Sequence, residues 1–267
     1  MIVFPNAKIN IGLNIISKRP DGYHNLETLF YPIKLSDALE MAETGKTGIT
    51  FTGIAVDCDP DDNLVMKAYK LLKADYELPP VQFHLHKVIP SGAGLGGGSS
   101  DAAFTLKLLN DYFRLNIGVE KLKEYAVRLG ADCAFFIDNK PALGTGIGNQ
   151  LEPLSLDLSH YELVILKPEI AVSTVQAYSN IVPANPSFSL SELPELDPSE
   201  WKSHVVNDFE KNIFRLFPEI EQLKRLLYDE GAVYASMSGS GSAVYGFFTR
   251  VPSTLKKKIP KGVFFNA

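Results

Sequence analysis

Residues 90–101 read Pro-Ser-Gly-Ala-Gly-Leu-Gly-Gly-Gly-Ser-Ser-Asp, and five of the seven positions 92–98 are glycine. Glycine lets a backbone approach an anion with no Cβ in the way, and a helix starting there would aim unpaired N–H groups and its positive end at the same point. Pro90, Ser91, Gly92, Ala93, Gly94, Leu95, Gly96, Gly97, Gly98, Ser99 and Ser100 therefore form a candidate phosphate cradle, with a flexible Gly/Ser linker as the alternative. No lysine follows in the register of a Walker A loop, whereas Gly92, Gly94 and Gly97 fit the G-x-G-x-x-G spacing of dinucleotide sites. Ser99, Ser100 and Asp101 fall in the first turn of the expected helix over 99–115, where a serine hydroxyl can cap the helix or ligate Mg²⁺.

The cradle needs a reacting centre. Over residues 7–15, period-two alternation puts Ile9, Ile11, Leu13 and Ile15 on one strand face and Lys8, Asn10, Gly12 and Asn14 on the other. Asparagine and lysine are poor strand formers, and such a row, with Gly12 leaving room, suits a groove floor better than a plain exterior. Asp132 follows the helix stop at Gly130 and precedes the apolar run 133–137, so partial burial is expected. A buried carboxylate needs a cation or a hydrogen-bond donor, and Lys8 is the candidate; a helix cap is the other possibility. The turn-rich stretch 18–25 carries Tyr23 and His24, which either stack on a base or pack down.

Elsewhere the patterns give scaffold. Residues 38–54 predict a hairpin about 44–48, residues 63–76 a helix capped by Asp61-Asp62, and 81–88 a strand with His84 and His86 on its polar face. The two histidines lack a third ligand, which favours a solvated face over a metal site. A helix is expected over 119–129, a hairpin rather than a second anion site at 144–148, and mostly helix over 198–228. Residues 233–248 read as strand, small-residue loop (Ser238-Gly239-Ser240-Gly241-Ser242) and strand: a plain hairpin turn, or a backbone brought close to a ligand or another loop.

With 267 residues, 45% hydrophobic and 21% charged, the chain has the composition of a globular protein large enough for one domain or two lobes. A net charge of −5 disfavours nucleic-acid coating but permits a local site for a phosphorylated small molecule. Cys58 and Cys133 match no metal spacing and read as reduced thiols; with no membrane-length apolar run and no signal peptide, a cytoplasmic protein is expected.

Three separated elements, the opening A-K-I-N-I-G-L strand, the P-x-x-x-G-L-G-G-G-S-S-D-A-A run and the late S-G-S-G-S loop, together resemble the GHMP kinase superfamily, which phosphorylates small-molecule hydroxyls or acids with ATP. Residues 5–10, the loop Arg19-Pro20-Asp21-Gly22-Tyr23-His24 and Gly130-Ala131-Asp132 look most like the branch that acts on a cytidine-diphosphate-linked polyol in non-mevalonate isoprenoid biosynthesis. The resemblance implies an α+β, two-lobed fold, with a ribosomal-protein-S5-like lobe at 1–155 and a C-terminal α+β lobe at 156–267, and an active site between them. It implies ATP and Mg²⁺ as cofactors, Lys8 and Asp132 as the catalytic pair, residues 90–100 as the phosphate loop, and Asn10, Tyr23 and His24 as substrate contacts. Tyr178, in the looser segment 173–178, would stack on cytosine opposite His24. No metal-binding acid is evident by motif, which leaves Ser99 or Ser100. The implied partner is one small molecule, with no nucleic acid or membrane, for a monomer or homodimer. Rivals are a homoserine, mevalonate or sugar kinase of the same superfamily, a ligand sensor on that fold, and a dinucleotide oxidoreductase. The last expects an acid closing a strand about 20 residues beyond the glycines, where Asp111 falls instead in a helical pattern.

Overall fold

A computed structural model describes residues 1–267. In chain order the strands and helices are β1 (Ile2–Val3), β2 (Asn6–Lys18), β3 (His24–Ser36), β4 (Ala38–Glu43), β5 (Gly48–Gly53), α1 (Leu64–Lys73), β6 (Val81–Lys87), α2 (Gly97–Tyr112), α3 (Val119–Leu129) and α4 (Phe135–Asp138). There follow β7 (Ala142–Thr145), β8 (Gln150–Pro153), β9 (Glu162–Lys167), α5 (Thr174–Tyr178), α6 (Phe209–Leu216), α7 (Pro218–Asp229), β10 (Tyr234–Met237), β11 (Val244–Phe248), α8 (Leu255–Lys258) and β12 (Phe264–Asn266). Strand and helix content bears out the α+β expectation.

The chain forms two compact units assembled from interleaved stretches. Met1–Lys8, Pro32–Ser91 and Gly96–Lys140 make the first, and Ile9–Tyr31, Gly92–Leu95 and Pro141–Ala267 the second.

In the first unit, a sheet of order β1-β4-β6-β5 is antiparallel except for the parallel β5–β6 pair. The predicted 38–54 hairpin is therefore incorrect. β4 and β5 both exist, but β6 lies between them, because its alternating Val81, Phe83 and Leu85 supply a strand with one fully buried face, with α1 making the crossover that a parallel pair requires. Asn63, not the preceding aspartates, caps α1 by accepting from the Val65 amide; Pro60–Asp62 form a 3₁₀ turn before it. α1, α2 and α3 pack together, burying Leu72, Leu106, Leu109 and Tyr125, and α3 matches its expected range of 119–129. Each such side chain contributes roughly 1.5–3 kcal/mol on burial.

In the second unit, one sheet runs β2-β3-β7-β8 and another β10-β11-β9-β12. β7 and β8 form the expected hairpin at 144–148, and β10 and β11 the expected strand, loop and strand. Region 198–228 supplies a 3₁₀ turn at Trp201–Ser203 with α6 and α7. Ile213, Ile220, Leu223 and Leu227 bury against Leu13, Ile15, Val164 and Met237 in the unit's main core.

Candidate active site

In the first unit, the lysine and the carboxylate singled out from the sequence meet. Lys8 Nζ lies 3.3 Å from Asp132 Oδ2, with the lysine side chain 3% exposed and the aspartate 34%. Asp132 sits in a 3₁₀ turn, Ala131–Cys133, between α3 and α4, which leaves one edge of its carboxylate accessible. The start of α2 is beside them. Gly96 has φ +70, and a Cβ built on it would come within 3.1 Å of Lys8 Cγ and Cε and 3.0 Å of Phe136 Cζ, so only glycine brings this backbone so close to the lysine.

The α2 terminus differs from expectation in detail. The helix begins at Gly97, its cap position is Gly96, and no side chain caps it. The Ser100 amide donates to Gly96 O, so the N–H groups of residues 97–99 have no intrahelical partner. Ser100 Oγ is fully buried and has no hydrogen-bond partner, whereas the Ser99 hydroxyl meets the Cys133 thiol. Neither serine is the cap: Ser100 is an unpaired buried hydroxyl and Ser99 is held by Cys133. Burial pushes the Cys133 thiol up to about 11; neither Cys133 nor the exposed Cys58 is in a disulfide.

Below the glycine run lies an ionic cluster that sequence reasoning missed. Lys87 Nζ donates to Asp37 Oδ2 and, at 2.8 Å, to Asp101 Oδ2, and all three residues are buried. Burial alone would lower the Lys87 ammonium, but the two carboxylates outweigh it and hold it above its ordinary value. Burial pushes the Asp101 carboxyl up to about 7, Lys87 pulling it back and Asp37 adding to the rise. A signal existed: Lys87 continues the inward phase of Val81, Phe83 and Leu85 along β6, and a lysine in the buried register needs partners.

In the second unit, the S-G-S-G-S loop closes on the middle of the glycine run. Ser238 Oγ donates to Gly94 O at 2.8 Å, and the Ala243 amide to Ala93 O at 3.2 Å. Gly94 has φ +74, and a Cβ there would lie 1.9 Å from Ser238 O. Of the two possibilities for this loop, approach to another loop is the one observed. Asn207 steadies it, its amide donating to Met237 O and Gly239 O, both at 2.8 Å.

The polar face of β2 is buried rather than solvated, with Asn10 and Asn14 both under 5% exposed. Asn10 Nδ2 donates to Thr28 Oγ1 at 3.0 Å, its amide to Ser238 Oγ at 3.2 Å, and its carbonyl accepts from Tyr245. The room expected at Gly12 is taken by Leu190, whose Cδ2 would lie 2.6 Å from a Cβ there; the gap serves packing. Arg19 holds the 18–25 loop through Asp21 and Asn25, leaving Tyr23 63% exposed. His24 and Tyr178 stack directly on each other, with centroids 4.9 Å apart and planes at 23°. A base between them would need roughly twice the 3.5 Å contact distance, so the pair is closed. Tyr178 ends α5, which Ser173 and Gln176 fix through a capping box.

His84 Nε2 and His86 Nδ1 both reach Thr52 Oγ1 at 2.9 Å on the open face of β6. No group of three His, Cys, Asp or Glu side chains is placed to hold a metal, and no helix is long and apolar enough to cross a membrane.

The GHMP kinases N terminal domain family matches residues 63–140, and the GHMP kinases C terminal family matches 189–261. A 4-diphosphocytidyl-2-C-methyl-D-erythritol kinase of Parabacteroides distasonis is 55% identical over 97% of this chain and 95% of its own length. One of Bacteroides fragilis is 56% identical over 93% and 92%. Among solved structures, a 4-(cytidine 5'-diphospho)-2C-methyl-D-erythritol kinase matches with a TM-score of 0.78 at 34% identity, covering 92% of this chain and 89% of that one. A homoserine kinase from Cytophaga hutchinsonii, at 17% identity and a TM-score of 0.65 over 98% and 94%, shares the fold. The chain thus belongs to the GHMP kinases and, within them, to the 4-diphosphocytidyl-2-C-methyl-D-erythritol kinases.

Proposed function

We propose that this chain transfers the γ-phosphoryl group of ATP to the 2-hydroxyl of 4-diphosphocytidyl-2-C-methyl-D-erythritol, releasing ADP and the 2-phosphate. The observation that carries the chemistry is the Lys8–Asp132 pair, 3.3 Å apart beside the uncapped start of α2. Phosphoryl transfer asks a protein mainly to position an acceptor hydroxyl and stabilise charge on the moving group. Asp132, partly exposed and fixed by a buried ammonium, is the group that orients the hydroxyl and takes its proton. Lys8 stabilises the charge that develops on the transferred oxygens. The N–H groups opening α2, with residues 90–100, hold the phosphates.

The partnerless Ser100 hydroxyl and the nearby Ser99 fit a Mg²⁺ bound mostly through phosphate oxygens. Bound there, Mg²⁺ would offset triphosphate charge. On the substrate side, Tyr23 offers an exposed aromatic face for a cytosine, the His24–Tyr178 stack has to open to take the base between its rings, and Asn10, its side-chain amide held by Thr28, lies on the sheet that includes β3, which His24 begins. We place this activity in the cytoplasm, in a monomer or homodimer.

The test is to incubate the protein with Mg²⁺-ATP and the cytidyl polyol, alongside homoserine, mevalonate and galactose, following ADP and the product mass. Product from the cytidyl polyol alone is expected. Product only from another substrate moves the specificity, and none from any removes the kinase assignment.

A further inference from the structure

The stretch joining β6 to α2 is gripped at both ends by the buried ionic cluster. At the β6 end, Asp37 Oδ1 accepts from the amides of Val88 (2.6 Å) and Ile89 (2.9 Å), fixing the backbone as it leaves the strand toward Pro90. At the α2 end, Asp101 Oδ2 accepts from Lys87, and a Cβ on Gly97 would meet Lys87 Nζ at 3.3 Å and Ile89 Cγ2 at 2.9 Å, so the first residue of α2 rests directly on the lysine. A single ammonium thus ties the strand end, the corner between β3 and β4, and the helix start.

The cluster is costly as packing. Two carboxylates face one cation, and Asp101 Oδ1 is buried without a hydrogen-bond partner. Apolar side chains of similar volume commonly match or exceed the stability of a buried ion cluster, so packing alone does not account for it. What such a cluster supplies and apolar packing does not is direction: bonds of fixed length to named atoms on three segments.

We propose that Lys87, with Asp37 and Asp101, is a positioning residue for nucleotide binding: the trio fixes the two ends of the glycine run so that the α2 amides are set for phosphate before nucleotide arrives. The proposal rests on the assignment of residues 90–100 as the phosphate loop. Pre-set donors bind without first being ordered, so loosening them weakens the nucleotide and leaves the second substrate alone.

Asp101→Ala tests this, because it cuts the tie to α2 and leaves Lys87 opposite Asp37 as a balanced pair. KM for ATP is expected to rise roughly tenfold, the order a charge-assisted hydrogen bond is worth, with KM for the second substrate within about twofold. Amide exchange over residues 100–104, whose amides bond back to the carbonyls of the helix start, should quicken. Asp101→Asn, which keeps an acceptor for Lys87, should recover most of the ATP affinity. A general packing role would lower the melting temperature without separating the two KM values. An ATP KM for D101A within about twofold of native overturns the proposal whatever exchange shows, and so does unchanged exchange over 100–104. A native chain that neither binds nor turns over ATP overturns the phosphate-loop assignment itself, a separate result.

Discussion

Gly92 and Gly94 are indistinguishable by local sequence, both left-handed glycines of one G-x-G, yet the structure separates their substitution costs. Alanine at either must adopt a positive φ, at about 1–2 kcal/mol. At Gly92 (φ +60) a Cβ meets nothing within 4 Å. At Gly94 it lies 1.9 Å from Ser238 O, and since ordinary contact begins near 3.4 Å the loops must part by about 1.5 Å. Parting them breaks the Ser238–Gly94 and Ala243–Ala93 hydrogen bonds, worth about 0.5–1.5 kcal/mol each. Gly94→Ala should therefore cost about 2–5 kcal/mol against about 1–2 for Gly92→Ala. In melting temperature that places G94A roughly 2–12 °C below G92A, about 6 °C at the centre of the range. The assay is thermal unfolding of both variants by circular dichroism, with KM for ATP measured alongside. G94A should show the larger rise in KM. If the two melt within about 2 °C of each other, the claim that the S-G-S-G-S loop clamps the glycine run is wrong.

Asp132→Asn should keep the fold, with some loss of melting temperature because the 3%-exposed Lys8 ammonium loses its counter-charge, and lower kcat by roughly 10²–10⁴-fold; a kcat within about threefold of native would remove its role as base. Iodoacetamide at pH 7.5 should label the exposed Cys58 and spare Cys133, whose thiol is buried and pushed up to about 11; equal labelling by mass spectrometry would contradict that burial. The Asp101 carboxyl, near 7 when folded, loses its proton near 4 when unfolded. Between these values the folded chain holds the extra proton, so this group's contribution to stability is full below about pH 4 and is lost as pH rises through about 7. Urea midpoints at pH 5 and pH 8 should accordingly fall less in Asp101→Asn than in the native protein; equal falls would refute the shift.

What was legible in the sequence was local. α3 could be placed because an apolar period ran into a glycine stop, and the β7–β8 and β10–β11 hairpins because their strands adjoin in the chain. The β4–β5 pairing was misread because a strand from about 30 residues later displaced the nearer partner. Lys8 and Asp132 were visible because each was out of character with its surroundings: a lysine in a strand, an acid against an apolar run. The Lys87 cluster was not, since its members sit 50 and 14 residues apart and only the inward phase of Lys87 hinted at it. The closed His24–Tyr178 stack was beyond any pattern, because ring separation is set by tertiary packing of α5 against Phe209.

The interleaving of the two units has a consequence for how the protein comes off the ribosome. The first unit has all its residues once position 140 has been synthesised, and its sheet can close then. Ile9–Tyr31 and Gly92–Leu95 belong with residues that follow 140, and Gly94 meets its partner only when Ser238 is made. Through more than a third of translation, then, the glycine run has its lysine-bound ends but not its clasp. A nascent or truncated chain would carry every residue of the phosphate motif without the shape that uses it.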